Sequence, residues 1–289
     1  MQDRSAENNA LPQIGEDAEG RLAGIRAFAL DMDGTVYLGE RWIEGAREWL
    51  LAAERSGRSC FFLTNNSSKS PADYVNKLDR MGLSVPEDRI ITSGQATIWY
   101  IGEHYSGKRV FLLGNERLRE EFIQAGISLD EENPELVVTG FDTTLTYEKL
   151  RKVCDFVRAG LPYLATHPDF NCPTEDGFMP DIGAIQAFIR ASAFRDPDHI
   201  IGKPNRDISD YLLRRIGAVR PELADVHRRA VAMVGDRLYT DVTAGIRGGL
   251  TSILVLSGEA RAEDAAASPE RPDLIYPALR DIPLPISSR

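Results

Sequence analysis

The chain has few cysteines, no large block of positive charge and no long apolar run, and each shortage removes a class of function. Its three cysteines, Cys60, Cys154 and Cys172, are odd in number and widely spaced. That pattern suits neither a disulfide framework nor a thiolate metal site, and a reducing, cytoplasmic setting is expected. Lys and Arg total 34 against 44 Asp and Glu, for a formal net charge of −10. A broad nucleic-acid surface is therefore not expected, because phosphate neutralisation needs clustered cations. A small anionic substrate needs only a local positive site, which a metal ion can supply. No stretch approaches the roughly 20 apolar residues of a membrane-spanning helix, so no membrane partner is expected. Residues 1–20 are polar, mix both charges and lack the apolar core of a secretory signal; they read as a flexible tail.

What is present points to two domains of ordinary globular composition: 289 residues, 43% hydrophobic and 27% charged. The sequence is organised around Phe28-Ala29-Leu30-Asp31-Met32-Asp33-Gly34-Thr35. A short apolar run reads as a buried parallel strand and breaks into two aspartates and a glycine. Open α/β sheets place ligands at the carboxyl ends of such strands. Two carboxylates two residues apart can hold a divalent cation and leave one oxygen free to attack. An Asp-Gly turn capping a strand is the plainer reading of this stretch alone.

Three later stretches change that balance. Ser59-Cys60-Phe61-Phe62-Leu63 reads as a second buried strand, ending in Thr64-Asn65-Asn66-Ser67 before a helix over residues 71–81. Backbone N–H groups and hydroxyls gathered there suit an anion, although a Ser/Asn-rich loop with an N-cap explains them too. Ile200-Ile201-Gly202-Lys203-Pro204 fixes a lysine at a strand end, where it can meet a phosphate or a carboxylate as a point charge. Ala232-Met233-Val234-Gly235-Asp236 is again a strand ending in an acid, expected beside the strand that ends in Asp31. Asp241 follows five residues later, near the start of a helix, where N-capping would also account for it.

Between the second and third stretches, residues 106–197 read as an inserted α/β unit, leaving 21–105 and 198–289 as the core. Its least regular part, residues 167–181, contains three prolines with aromatic, acidic and imidazole side chains and reads as a long functional loop.

Taken in order, Asp31-Met32-Asp33-Gly34-Thr35, Thr64-Asn65, Lys203, and Gly235-Asp236 through Asp241 resemble the four motifs of the haloacid-dehalogenase-like hydrolase superfamily. The insert resembles the C2-type cap of class IIA, the NagD-like and 4-nitrophenylphosphatase branch. That resemblance implies a Rossmann-like three-layer α/β core with a parallel sheet, plus a smaller α/β cap. It implies a phosphomonoester hydrolase of small phosphorylated metabolites, with 4-nitrophenyl phosphate as surrogate. Asp31 would be the nucleophile that forms an aspartyl-phosphate, and Asp33 the general acid/base. Mg2+ would sit on Asp31, Asp33 (through its backbone carbonyl) and Asp236, with Asp241 behind them holding Lys203 or a metal-bound water. Thr64, Asn65, Asn66 and Lys203 would bind the phosphoryl group. From the cap, His167, Asn171 and Cys172 would meet the substrate; Cys172 stands where some relatives have histidine. Relatives of this class often pair through their caps, so a homodimer is a further expectation. A phosphomutase, or a non-catalytic phosphometabolite-binding protein on the same scaffold, remains the alternative. The motifs do not choose among sugar phosphates, nucleotides, phosphoglycolate, glycerol phosphate and pyridoxal phosphate.

Overall fold

The computed structural model describes residues 18–174 and 177–284. Most of the expected tail, residues 1–17, and two residues of the expected loop, Glu175 and Asp176, lie outside the described residues. Helix α1 (Ala18–Gly24) already begins inside the segment read as tail, with Leu22 buried in the core.

The chain then runs β1 (Ala27–Leu30), a small hairpin of β2 (Tyr37–Leu38) and β3 (Arg41–Trp42), α2 (Ala46–Arg55), β4 (Ser59–Thr64), α3 (Pro71–Arg80), β5 (Ile90–Thr92) and α4 (Ser93–His104). A second group follows: β6 (Val110–Leu113), α5 (Glu116–Gln124), β7 (Leu136–Thr139), α6 (Tyr147–Arg158), β8 (Tyr163–Ala165), β9 (Asn171–Thr174), β10 (Gly177–Pro180) and α7 (Ile182–Ala193). Last come β11 (His199–Ile200), α8 (Arg206–Val219), β12 (Val231–Gly235), α9 (Thr243–Gly248), β13 (Thr251–Val255), α10 (Ala262–Ala267) and β14 (Leu274–Tyr276).

Six strands form one parallel sheet in the order β14-β13-β12-β1-β4-β5. Its central strands are buried along their whole length, because helices cover both faces. Alternate residues divide between the two sides. Phe28, Leu30, Phe62 and Val234 pack with Trp49 and Leu50 of α2 on one side. Ala29, Phe61, Leu63 and Met233 pack with Ala96 of α4 and Ile208 and Leu212 of α8 on the other. This is the three-layer α/β core expected from the sequence.

A second parallel sheet has the order β11-β8-β7-β6. Phe111, Val137 and Tyr163 on one face pack against Val153 and Val157 of α6 and Ile185 and Ile189 of α7. Val110, Leu112, Val138 and Leu164 on the other belong to the same apolar cluster as α4 and α8. The two sheets thus share an unbroken core, which fixes the second sheet over the carboxyl edge of the first.

Two expectations need correction. Residues 171–174 and 177–180 form an antiparallel hairpin, with Asn171 opposite Pro180 and Cys172 opposite Met179, rather than an irregular loop. The prolines that argue against strand are tolerated because this hairpin is a two-stranded sheet whose edges have no further strand partner among the described residues. Strand β11, just before Lys203, pairs with β8 in the second sheet and not with the core. Among the described residues no helix is long and apolar enough to cross a membrane.

Candidate active site

Strand β1 ends by donating the Asp31 N–H to Val234 O at 2.8 Å, which sets Asp31 next to the end of β12. Met32 is buried, so the chain turns Asp31 and Asp33 to the same side. Gly34, at φ 93°, completes a left-handed turn that lets its N–H reach Tyr37 O at 2.8 Å. A side chain at Gly34 would also strike the Asp236 carboxylate, since its Cβ would lie 2.4 Å from Oδ2. Gly258 approaches the same oxygen from the other side, at 2.0 Å for a Cβ. Two glycines therefore frame Asp236.

Lys203 arrives from the second sheet. Its Nζ donates to Asp31 Oδ1 at 2.5 Å, to Asp241 Oδ1 at 2.6 Å and to Leu63 O at 3.2 Å. All three donor positions of the ammonium are thus engaged, and 3% of the side chain is exposed. Burial opposes its charge, but Asp241 and Asp31 outweigh burial and hold Lys203 firmly protonated. The Asp31 carboxyl is raised by burial, with Lys203 opposing and Asp241 and Asp236 adding to the rise.

Asn65 locks the lysine backbone in place: its Oδ1 accepts from Lys203 N at 2.8 Å and its Nδ2 donates to Lys203 O at 2.9 Å. The same amide nitrogen reaches the Asp169 carboxylate at 3.2 Å. Behind it, Asn66 N–H donates to Thr64 Oγ1 at 3.1 Å, and Asn66 Oδ1 caps Ser68 N–H at 2.8 Å. Ser67 Oγ lies 3.1 Å from Thr166 Oγ1 and accepts from Phe141 N–H at 2.9 Å, fastening this loop to the second sheet.

Asp31, Asp236 and Asp241 each offer an oxygen within 4.8 Å of the others, and all three are buried. Asp236 Oδ2 accepts from Glu259 N–H at 2.8 Å, while the buried Oδ1 has no hydrogen-bond partner among the described residues. Burial and Asp241 push Asp236 up to about 6. An unpartnered buried oxygen within an all-oxygen donor set is what a hard divalent cation requires. The residues fit such an ion. Asp241 lies in a π-helical turn over Leu238–Val242, ahead of α9, and is not an N-cap. Gly235 leaves the room for it: a Cβ there would fall 2.2 Å from Asp241 Cβ.

A cavity of about 40 Å³ lies over these groups and is lined by Asp31, Asp33, Thr64, Asn65, Asn66, Asn171, Cys172 and Lys203. The motif residues and two of the three cap residues therefore meet in one place. His167 does not. It is fully buried behind the cavity, with Nε2 3.0 Å from Asp181 Oδ1 and Nδ1 2.9 Å from Thr166 Oγ1 and 3.3 Å from Ser93 Oγ. Ser93 in turn donates to Asn65 O. Burial opposes the charged ring, yet the Asp181 carboxylate, helped by Asp169 and resisted by Lys203, raises the His167 pKa. It is a strut that joins the end of β8 to the starts of α4 and α7. Cys172 lines the cavity as a neutral thiol, pushed up to about 11 by burial. Burial also raises Asp33, against the nearby cations of Lys77, Lys69, Arg237 and Lys203.

The sequence reading missed Asp169, Asp181, Arg237 and Thr240, which also line the cavity. Arg237 had a signal, since it directly follows the strand-end Asp236. Its charge is reinforced by Asp31, Asp236 and Asp241 despite burial, and its Nε lies 2.9 Å from Glu259 Oε2.

Comparison with known proteins identifies the family. A family model described as haloacid dehalogenase-like hydrolase matches residues 28–128, and a HAD-hydrolase-like model matches residues 200–282. A solved 4-nitrophenylphosphatase from Thermotoga maritima is 43% identical, with TM-score 0.85 over 92% of this chain and 99% of its own. NagD from E. coli K-12 is 31% identical, with TM-score 0.81 over 90% of this chain and 99% of its own. An acid sugar phosphatase from Staphylococcus haemolyticus is 33% identical over 252 residues, or 87% of this chain and 92% of that protein. With its aspartate pair, lysine and acidic triad converging on one cavity, this chain belongs to the haloacid dehalogenase-like hydrolases, in the phosphatase branch that holds NagD and the 4-nitrophenylphosphatases.

Proposed function

We propose that the chain is a Mg2+-dependent phosphomonoesterase that works through an aspartyl-phosphate on Asp31. The observation that carries this reading is the Lys203 ammonium, clamped between Asp31 and Asp241 beside the unpartnered oxygen of Asp236. A phosphomonoester repels nucleophiles with its own charge, so the protein must position it and neutralise that charge. Lys203 fixes the Asp31 carboxylate through one oxygen and presents positive charge where the phosphoryl oxygens would lie. Thr64 and Asn65 line the same cavity, where the Thr64 hydroxyl and the Asn65 backbone amide would bind phosphoryl oxygens. A Mg2+ ion held by Asp31, Asp236 and the Asp33 carbonyl, with Asp241 adjacent, would add further neutralisation when bound.

In the first step an Asp31 oxygen bonds to phosphorus as the ester oxygen leaves, taking the Asp33 proton. Burial favours a protonated Asp33, which suits it to this role. In the second step water attacks the aspartyl-phosphate, gives its proton back to Asp33, and frees Asp31 and inorganic phosphate. The substrate is a small phosphorylated metabolite, in keeping with the sugar phosphatase and 4-nitrophenylphosphatases that this chain resembles.

Phosphate release from 4-nitrophenyl phosphate, with Mg2+ and with chelator, tests this reading in wild type and Asp31→Asn. Turnover should require the metal and should fall at least about a thousandfold in the variant. Activity surviving in Asp31→Asn would overturn the covalent mechanism.

A further inference from the structure

The catalytic cavity opens into a much larger groove, of about 960 Å³, with which it shares Asp33, Asn66, Cys172 and Pro173. Asp33 stands at the junction. Since Asp33 exchanges its proton with the leaving oxygen, the rest of the leaving group has this groove to occupy.

In a chain of net charge −10, the groove carries the opposite sign. Five cations (Arg41, Lys69, Lys77, Arg80 and Arg117) line it against three carboxylates (Asp33, Glu40 and Asp73). Two of the cations are already matched: Arg80 pairs with Glu40 at 3.4 Å and Arg117 lies 3.8 Å from Asp73. Lys69 and Lys77 have no carboxylate within ion-pair distance among the described residues, although both act electrostatically on Asp33.

Lys77 is also held in position. Its Nζ sits 3.6 Å from the centre of the Tyr37 ring, and Tyr37 is fully buried with its hydroxyl on Met32 Sδ at 3.4 Å. Tyr37 is bridged through its backbone to Asp33, so the lysine and the general acid share one rigid turn. Lys69, in the loop just ahead of α3 on the same wall, has its Nζ 5.9 Å from the Tyr74 ring centre. A half-buried ammonium on an aromatic face, with no carboxylate in ion-pair contact among the described residues, can receive an anion.

We propose that Lys69 and Lys77 form a second anion site, which receives a carboxylate or phosphate carried by the leaving alcohol. The preferred substrate is then a phosphomonoester with a second anionic group. This rests on the phosphomonoesterase reading above and narrows it.

The test compares kcat/KM for glycerol 3-phosphate, 3-phosphoglycerate and glycerol 1,3-bisphosphate, which differ in what the far carbon carries. Wild type should favour at least one charged compound over glycerol 3-phosphate by about tenfold or more, and the arm that wins tells carboxylate from phosphate. Lys77→Met and, separately, Lys69→Met should bring that ratio toward one. A ratio within one enzyme cancels general damage, and Lys69 is exposed enough that its loss leaves the fold intact. Equal rates on charged and neutral compounds in wild type, or a preference that survives both substitutions, would overturn the proposal. So would a nucleoside monophosphate outrunning all three, which would assign the leaving group to the aromatic cavity of Phe170, Phe178 and Tyr239. Wild type that turns over 4-nitrophenyl phosphate without charge preference defeats only this proposal; wild type inert toward all these esters defeats the phosphatase reading itself.

Discussion

The ends and the middle of residues 167–181 differ more than any sequence feature suggests. At the ends, His167 and Asp181 are buried and joined at 3.0 Å, tying the second sheet to the N-terminus of α7. In the middle, the hairpin leaves Phe178 75% and Phe170 61% exposed. One segment therefore holds both a buried strut and an exposed aromatic surface. What separates the two parts is partnering: His167 and Asp181 spend their polar atoms on each other, whereas the exposed rings of the middle have no such partner to hold them.

The buried side can be broken hardest at Lys203, which the Asn65 clamp connects back to His167 through Ser93. Lys203→Met leaves Asp31 and Asp241 buried without their cation. In metal-free protein it should cost about 3–5 kcal/mol by denaturant unfolding and abolish turnover. A variant as stable as wild type would show that the cluster relaxes by taking up protons.

His167 gives a gentler test. Its folded-state pKa lies above its ordinary value of 6.5, so folding favours the protonated ring. The stabilisation is complete below 6.5 and fades as pH rises through the folded-state value. Melting temperature should fall over that window in wild type. His167→Gln should flatten the slope and cost about 2 kcal/mol at pH 6. An unchanged slope would mean that another group carries the titration.

The smallest effect on stability belongs to the hairpin. Phe178→Ser should change unfolding free energy by less than about 0.5 kcal/mol, because the ring is solvent-exposed. A shift in KM without a shift in melting temperature would mark the tip as a substrate contact. A large loss of stability would erase the contrast between tip and ends.

The strands of the core were legible because a sheet covered on both faces needs uninterrupted apolar runs, and β1, β4, β12 and β13 supply them. Asp31, Asp33 and Asp236 were legible only in combination: each strand-end acid alone also reads as a capped turn, and the ordered set with Thr64-Asn65 and Lys203 singles them out. Strand β14 was not: Leu274–Tyr276 is three residues long, and Pro272 and Pro277 around it read as a polar, proline-rich terminus. Helix α7 was missed because it is apolar on most sides and shows no clear stripe. The role of His167 could not be read from sequence, since its partners lie 14 and 74 residues away. Lys203 was found by its glycine and proline neighbours, yet its attachment to the second sheet depends on pairing that no local pattern reveals.

The strand order has a consequence for synthesis on the ribosome. Strand β1 lies between β4 and β12, but β12 is made about 200 residues after β1, some 10–40 s at roughly 5–20 residues per second. During that interval the nascent half-sheet has an open β1 edge that invites pairing with another chain. Asp31 meanwhile has neither Lys203 nor Asp236 beside it. The acidic cluster of Asp31, Asp236 and Asp241 is incomplete until β12 and the Asp241 turn have emerged, so the site is assembled by the same event that closes the edge.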